Sequence, residues 1–403
     1  MSVQSLHFKN ILPTSIFLIL FFIQNSIVPS SAQNQIQAYN RISFAQGFLA
    51  YANDIETNGK AGMGAVGTDV DPQSGISHNP ANLVNSRKYL FVRVNATKVK
   101  TNNSSSWDNA GFFSGSFACG IDSVQSVAFE GVYHRSGFIQ MVDSSSGEIR
   151  KYPNMDLVFG ARYARRISKR CRIGLGLKYY YSNYGLGFTF KGKKLLSQGV
   201  STDWGIVWKD KFGLKTEKKI AWGIGLLLQN LGPKVGIDAI SDSKQFLPQN
   251  LRVGSIIGFV GLDQPHTIKV FLGYELNKWL IPSPPIKNGT TLIRGINDKV
   301  SSFAGVFQSF YDAPYGIQEE LAEMNHLFSL EINQLSKKNW YWAIRSGFYY
   351  APISKGGIHY LSFGASLSYK RTGFSAFYRT NFSRSNSFIR EPFGCQLSYL
   401  LNQ

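Results

Sequence analysis

A chain of 403 residues with 14% aromatic and only 17% charged side chains departs from the soluble multidomain norm, in which about a quarter of residues are charged. The formal charge of +19 is spread along the chain with no nucleic-acid motif, which excludes nucleic acid and makes anionic outer-membrane lipid, lipopolysaccharide included, the expected counter-charge. Cys119, Cys171 and Cys395 are too few and too far apart for a disulfide framework or a zinc ribbon, and no cofactor or metal is expected.

At the start, His7 and Lys9 precede an apolar run from Ile11 to Ile23, and Ser30-Ser31-Ala32 offers small residues before Gln33. This pattern predicts a secretory signal peptide over residues 1–32. Residues 33–87 show no sustained alternation and are expected to form a periplasmic or lumenal hatch. Within them, Gly62 to Gly67 spells GxGxxG, but neither a preceding buried strand nor a following helix is present, so a dinucleotide site is excluded. Gly62 and Gly64 instead suit tight folding inside a lumen, and Asn79-Pro80 beside His78 suits a structural turn. These four residues, Gly62, Gly64, Asn79 and Pro80, are expected to hold the hatch. Asp69 and Asp71 do not complete a calcium loop.

From residue 88 to 403 about fourteen stretches alternate in polarity over roughly 9–13 residues, the length of tilted membrane strands. Examples are KYLFVRVNATKV, RIGLGLKYYYSNY, IAWGIGLLLQN and FGCQLSYLLN. Odd-numbered connections are mostly long (135–154, 185–199, 231–249, 278–325) and even ones mostly short (120–123, 165–170, 261–265, 335–338). An even strand count with long loops at one end and short turns at the other describes an all-β outer-membrane barrel, with the long loops extracellular. The seven tryptophans fall mainly near strand ends, where interfacial girdles form.

The longest connection, extracellular loop five, contains SFYDAPYGIQEELAEMN, from Ser309 to Asn325. Tyr315-Gly316 reads as a turn and the residues after it as a short amphipathic helix. Ile317, Leu321 and Met324 share one face and Glu319, Glu320 and Glu323 lie away from it, which predicts a solvated acidic face over an apolar stripe. Neighbouring glutamates on a helix diverge, so neither a catalytic nor a metal cluster is expected. The six histidines are scattered, neither G-x-S-x-G nor H-E-x-x-H occurs, and no enzyme activity is expected.

Two segments carry a resemblance. Gly47 to Leu83, with its Gly-Met-Gly turn and Asn-Pro-Ala motif, and Phe307 to His326, with its SFxDAPxGxxEEL pattern, together resemble the PorV (LptO) family of type IX secretion. The likeness is densest there and through residues 300–369. It implies a fourteen-stranded FadL-like barrel in the outer membrane of a Gram-negative bacterium. It further implies a carrier that receives cargo by its C-terminal signal domain at a giant SprA/Sov-like translocon barrel and passes it to the cell-surface attachment complex. The expected partner contact is the loop-five surface: Phe310, Tyr311, Asp312, Pro314, Tyr315, Gly316, Glu319 and Glu320. Its aromatics would anchor and its acidic face would steer. The alternative is a FadL-like uptake channel for a hydrophobic molecule.

Overall fold

The computed structural model of the protein describes residues 39–51, 54–68, 74–84, 90–100, 110–142, 149–190, 192–213, 218–237, 240–261, 268–336, 339–382 and 390–402. The expected signal peptide, Asp69, Asp71 and Trp107 lie outside them.

Fourteen antiparallel strands form one closed wall. They are β1 (Leu90–Lys100), β2 (Gly111–Gly120), β3 (Gln125–Arg135), β4 (Ile149–Arg166), β5 (Cys171–Tyr184), β6 (Leu196–Gly213) and β7 (Lys218–Leu231), followed by β8 (Asn250–Gly261), β9 (Ile268–Trp279), β10 (Met324–Leu335), β11 (Trp340–Tyr350), β12 (His359–Tyr369), β13 (Thr372–Asn381) and β14 (Arg390–Asn402). Each pairs with the next, and β14 returns to β1 with Tyr399 opposite Val92. Every alternating stretch expected from the sequence falls on one of these strands.

The alternation runs inside out relative to a soluble protein. On β1, Arg93, Asn95 and Thr97 are buried toward the lumen while Val92 and Val94 are exposed outward. The same reversal puts Phe113, Phe129, Phe159, Leu177 and Leu397 on the outside. A hydrocarbon environment explains the pattern: apolar side chains face lipid, and closure leaves no strand edge with unpaired backbone groups. Among the described residues no helix is long and apolar enough to cross a membrane. Trp204, Trp208 and Trp340 are exposed, as an interfacial position requires. Trp279 departs from that expectation, because its ring packs on Phe44 of the N-terminal segment, 4.9 Å between centroids.

β4 and β6, each of 18 residues, exceed the roughly 9–11 needed to span and project at the long-loop end. A short strand, Phe138–Val142, pairs onto the projecting part of β4. Small hairpins also occupy the long loops, among them Ile286–Asn288 with Thr291–Arg294.

The described residues from 54 to 68 and from 74 to 84 lie within the ring of strands and bond to its inward side chains. Helix α1 (Ile55–Asn58) is capped by Asp54, which accepts from Thr57 N at 3.3 Å. Asp54 also pairs with Arg93 of β1 at 3.0 Å. Glu56 meets Arg345 of β11 at 3.2 Å, and Glu331 of β10 takes both Arg345 at 3.1 Å and Lys60 at 3.5 Å. Further along, Gly64 N and Ala65 N donate to Glu275 of β9 at 3.0 and 2.8 Å, and Arg252 of β8 holds the other carboxylate oxygen at 2.6 Å. Buried charges in this number persist because each has an opposite charge and further hydrogen bonds.

The expected hatch residues belong to this lumenal segment. Gly62 has φ +84°, a conformation that side chains disfavour. A Cβ on Gly64 would overlap the ring of His78, and the burial of that ring, ahead of four nearby cations, lowers its pKa well below the ordinary value. Asn79 accepts from Ala81 N at 3.0 Å and donates to Ala65 O at 2.8 Å and to Leu226 O of β7 at 3.2 Å. Helix α2 (Ser74–Ser77) precedes this turn, and Pro80 then opens the one-turn helix Pro80–Leu83, where a missing N–H costs nothing.

Candidate docking surface at the long-loop rim

Loop five folds into two short helices laid over the rim. Ser301 caps α3 (Ser302–Gln308), accepting from Ala304 N at 3.2 Å. Gln249 donates to Ser302 Oγ at 2.5 Å, and Ser302 in turn donates to Gly232 O, which ties α3 to the neighbouring loop. The chain then turns through Asp312, which accepts from Ser283 N at 3.1 Å and Gln308 Nε2 at 3.2 Å. Burial pushes the Asp312 carboxyl up to about 6, against the lowering effect of the Ser283 N–H bond. Gly316, with φ +71°, turns the chain into α4 (Ile317–Ala322).

The orientation of α4 reverses the one expected. Glu319, Glu320 and Glu323 are buried, and Ile317 and Leu321 are 71% and 56% exposed. Two lysines account for this. Lys278, at the end of β9, donates to Glu320 at 2.9 Å and Glu323 at 2.7 Å. Lys355, from the β11–β12 loop, reaches Glu319 at 2.5 Å and Glu323 at 2.9 Å. Backbone donors complete the shell: Ala313 N to Glu320 at 2.9 Å and Tyr315 N to Glu319 at 3.0 Å, with Ser283 Oγ on Glu323. Carboxylates so supplied with cations and N–H groups can be buried, whereas the aliphatic face of α4 finds no apolar surface at this polar rim.

The acidic face expected to steer a partner is therefore absent from the surface, and Asp312, Glu319 and Glu320 are internal fasteners. Phe310 and Tyr311 do stand exposed, at 48% and 65%. Pro314 and Tyr315 are half-buried, with Arg294 over the Tyr315 ring at 5.3 Å. Sequence reasoning missed Phe303 and Phe307 of α3, which are 76% and 58% exposed and meet edge to face at 5.2 Å. With Ile317 and Leu321 they add to the apolar surface that Phe310 and Tyr311 present. Exposed large apolar side chains gathered on one loop in this number are a feature of interaction sites.

Comparison with known proteins adds a family. The sequence matches the family described as type IX secretion system protein PorV over residues 32–286. No curated protein matches the chain. Among solved structures it is similar to the CymD monoaromatic hydrocarbon channel, at 10% identity and a TM-score of 0.48, covering 89% of this chain and 98% of that one. It is also similar to the toluene transporter TodX of Pseudomonas putida, at 10% identity and a TM-score of 0.45, covering 91% and 100%. A FadL homologue of Pseudomonas aeruginosa is similar at 10% identity and a TM-score of 0.42, covering 90% and 99%.

Proposed function

Because this chain belongs to the PorV family of type IX secretion system proteins, we propose that it is an outer-membrane cargo carrier acting without bond making. It binds the C-terminal signal domain of cargo at a giant translocon barrel and delivers it to the cell-surface attachment complex. In this reading residues 1–32 are a removed signal peptide, residues 33–87 a hatch closing the lumen, and residues 88–403 the barrel, with the long-loop end extracellular. The hatch is held by Gly62, Gly64, Asn79 and Pro80, and its charge pairs with the wall oppose free passage through the lumen.

The observation that carries the reading is the apolar surface of loop five, held to the rim by its own carboxylates. Phe303, Phe307, Phe310, Tyr311, Ile317 and Leu321 supply anchoring side chains on a preorganised support, which lowers the ordering cost of binding. Aromatic and aliphatic contact replaces the acidic steering expected from the sequence. The test is surface display of cargo in cells carrying Tyr311→Ser with Leu321→Ser. Display is expected to fail while the barrel remains heat-modifiable on gels and a very large barrel no longer co-purifies. Normal display in that double variant would sink the assignment.

A further inference from the structure

Between the N-terminal segment and the long-loop ends of β8 to β13 lies a cavity of about 360 Å³, within the range of small-molecule sites. Its lining is chemically uneven. Tyr349 and Tyr360 stack in parallel, 4.8 Å between centroids and 2° between planes, and form one flat aromatic side. The Arg379 guanidinium lies over the Tyr360 ring at 4.3 Å, and its Nε has no hydrogen-bond partner. Asn277 also lines the space, is 6% exposed, and its amide NH2 has no hydrogen-bond partner among the described residues. Arg252, Lys355 and Glu323 also line the space, but each is already paired, with Glu275, with Glu319 and Glu323, and with Lys278 and Lys355 respectively. Among the described residues no carboxylate pairs with Arg379 or with Arg41 at the mouth.

Buried polar groups are ordinarily satisfied, and a guanidinium stacked on an aromatic ring keeps its in-plane donors directed past the ring edge. We propose that this cavity is a binding site for a small organic monoanion with a planar apolar body, an aromatic monocarboxylate in the simplest case. The carboxylate accepts from Arg379 and from the Nδ2–H of Asn277, and the ring lies along the Tyr349–Tyr360 stack. The excess of cations over carboxylates selects an anion, and the flat aromatic side selects a planar body over a branched one. The site is distinct from the apolar surface of loop five and stands independently of the role proposed for that surface.

Isothermal titration calorimetry of the detergent-solubilised full chain with cinnamate and with cinnamyl alcohol tests the assignment. Saturable binding of cinnamate at a single site is expected, with the neutral alcohol about tenfold weaker or more. Arg379→Gln should weaken cinnamate about tenfold and leave the alcohol unchanged, Asn277→Leu should weaken it about threefold, and Lys287→Gln in the exposed loop should change neither. Heat-modifiability on gels establishes that each variant is folded, and Asn277→Leu decides the matter if Arg379→Gln does not fold. Absence of saturable cinnamate binding, equal affinity for acid and alcohol, or wild-type affinity in the folded variants would each overturn the proposal.

Discussion

The lumen and the loop-five rim use the same chemistry to opposite ends. In the lumen, Asp54 and Glu56 of the N-terminal segment pair with Arg93 and Arg345 of the wall, and the polar faces of two elements meet. At the rim, Glu319, Glu320 and Glu323 pair with Lys278 and Lys355, and only one face of α4 is matched. The segment in the lumen is bonded on its polar side and enclosed by strands. Helix α4 is bonded on its polar side and left with aliphatic side chains in the open. Ion pairing thus closes one region and presents the other.

The largest effect that separates the two is loss of a lumenal cation. Arg93→Met removes the cation paired with buried Asp54, while Glu130 keeps Arg162 at 3.1 Å, and should destabilise the folded barrel by about 3 kcal/mol, read as an earlier loss of heat-modifiability in a temperature series. At the rim the corresponding change is Lys278→Met, which leaves Glu320 and Glu323 short of a partner. Its effect should stay local, with hydrogen exchange accelerating over residues 301–323 about tenfold or more and the lumenal segment unchanged. If exchange rises throughout the barrel instead, the two networks are not separate. Ile317→Ser and Leu321→Ser probe the unmatched face: each should alter stability by no more than about 0.5 kcal/mol while abolishing cargo display.

The smallest expected effect is a pH dependence. Asp312 in the folded loop titrates near 6 against an ordinary value of 3.8, so the ordered loop holds its proton more tightly than the opened one. The contribution of this group is then most favourable below about 4, falls as pH rises through about 6, and is flat above. Limited proteolysis of loop five at pH 4.5 and 7 should show this as a difference between wild type and Asp312→Asn, because the variant lacks that component.

Much of the wall is legible in the sequence because its signal is local. A period of two with apolar residues outward marks each strand, and the parity of loop lengths marks the two ends. The helix at Ile317 is legible for the same reason, its spacing fixing which residues share a face. Which face turns inward is not local. It depends on Lys278 and Lys355, which lie about 40 positions to either side of the helix and reach its glutamates only through the strand pairing β9–β10–β11. The general rule that carboxylates face water also fails here because the surface beneath the helix is a rim of cations and backbone donors, with no apolar core. Some missed features did leave a trace. Asn288-Gly289 is a hairpin signal, and Gly289 has φ +60° between the paired strands Ile286–Asn288 and Thr291–Arg294. Ser301 ahead of α3 is a cap of the usual kind. The pairing of Arg93 with Asp54, by contrast, joins two charges that no spacing rule connects.

The seam between β1 and β14 has a consequence for assembly in time. Arg93 stands opposite Ser398 across that seam, so the wall cannot close until its fourteenth strand arrives, some 300 positions later. Such distant pairings form late, after the loop entropy that separates them is overcome. The contact of Asp54 with Arg93 spans only a few tens of residues and is available as soon as β1 exists. Loop entropy thus favours an order in which the first strand takes up its lumenal segment before the ring closes around it. An order in which the ring closes first would require the segment to enter afterwards through an opening lined with unpaired charges.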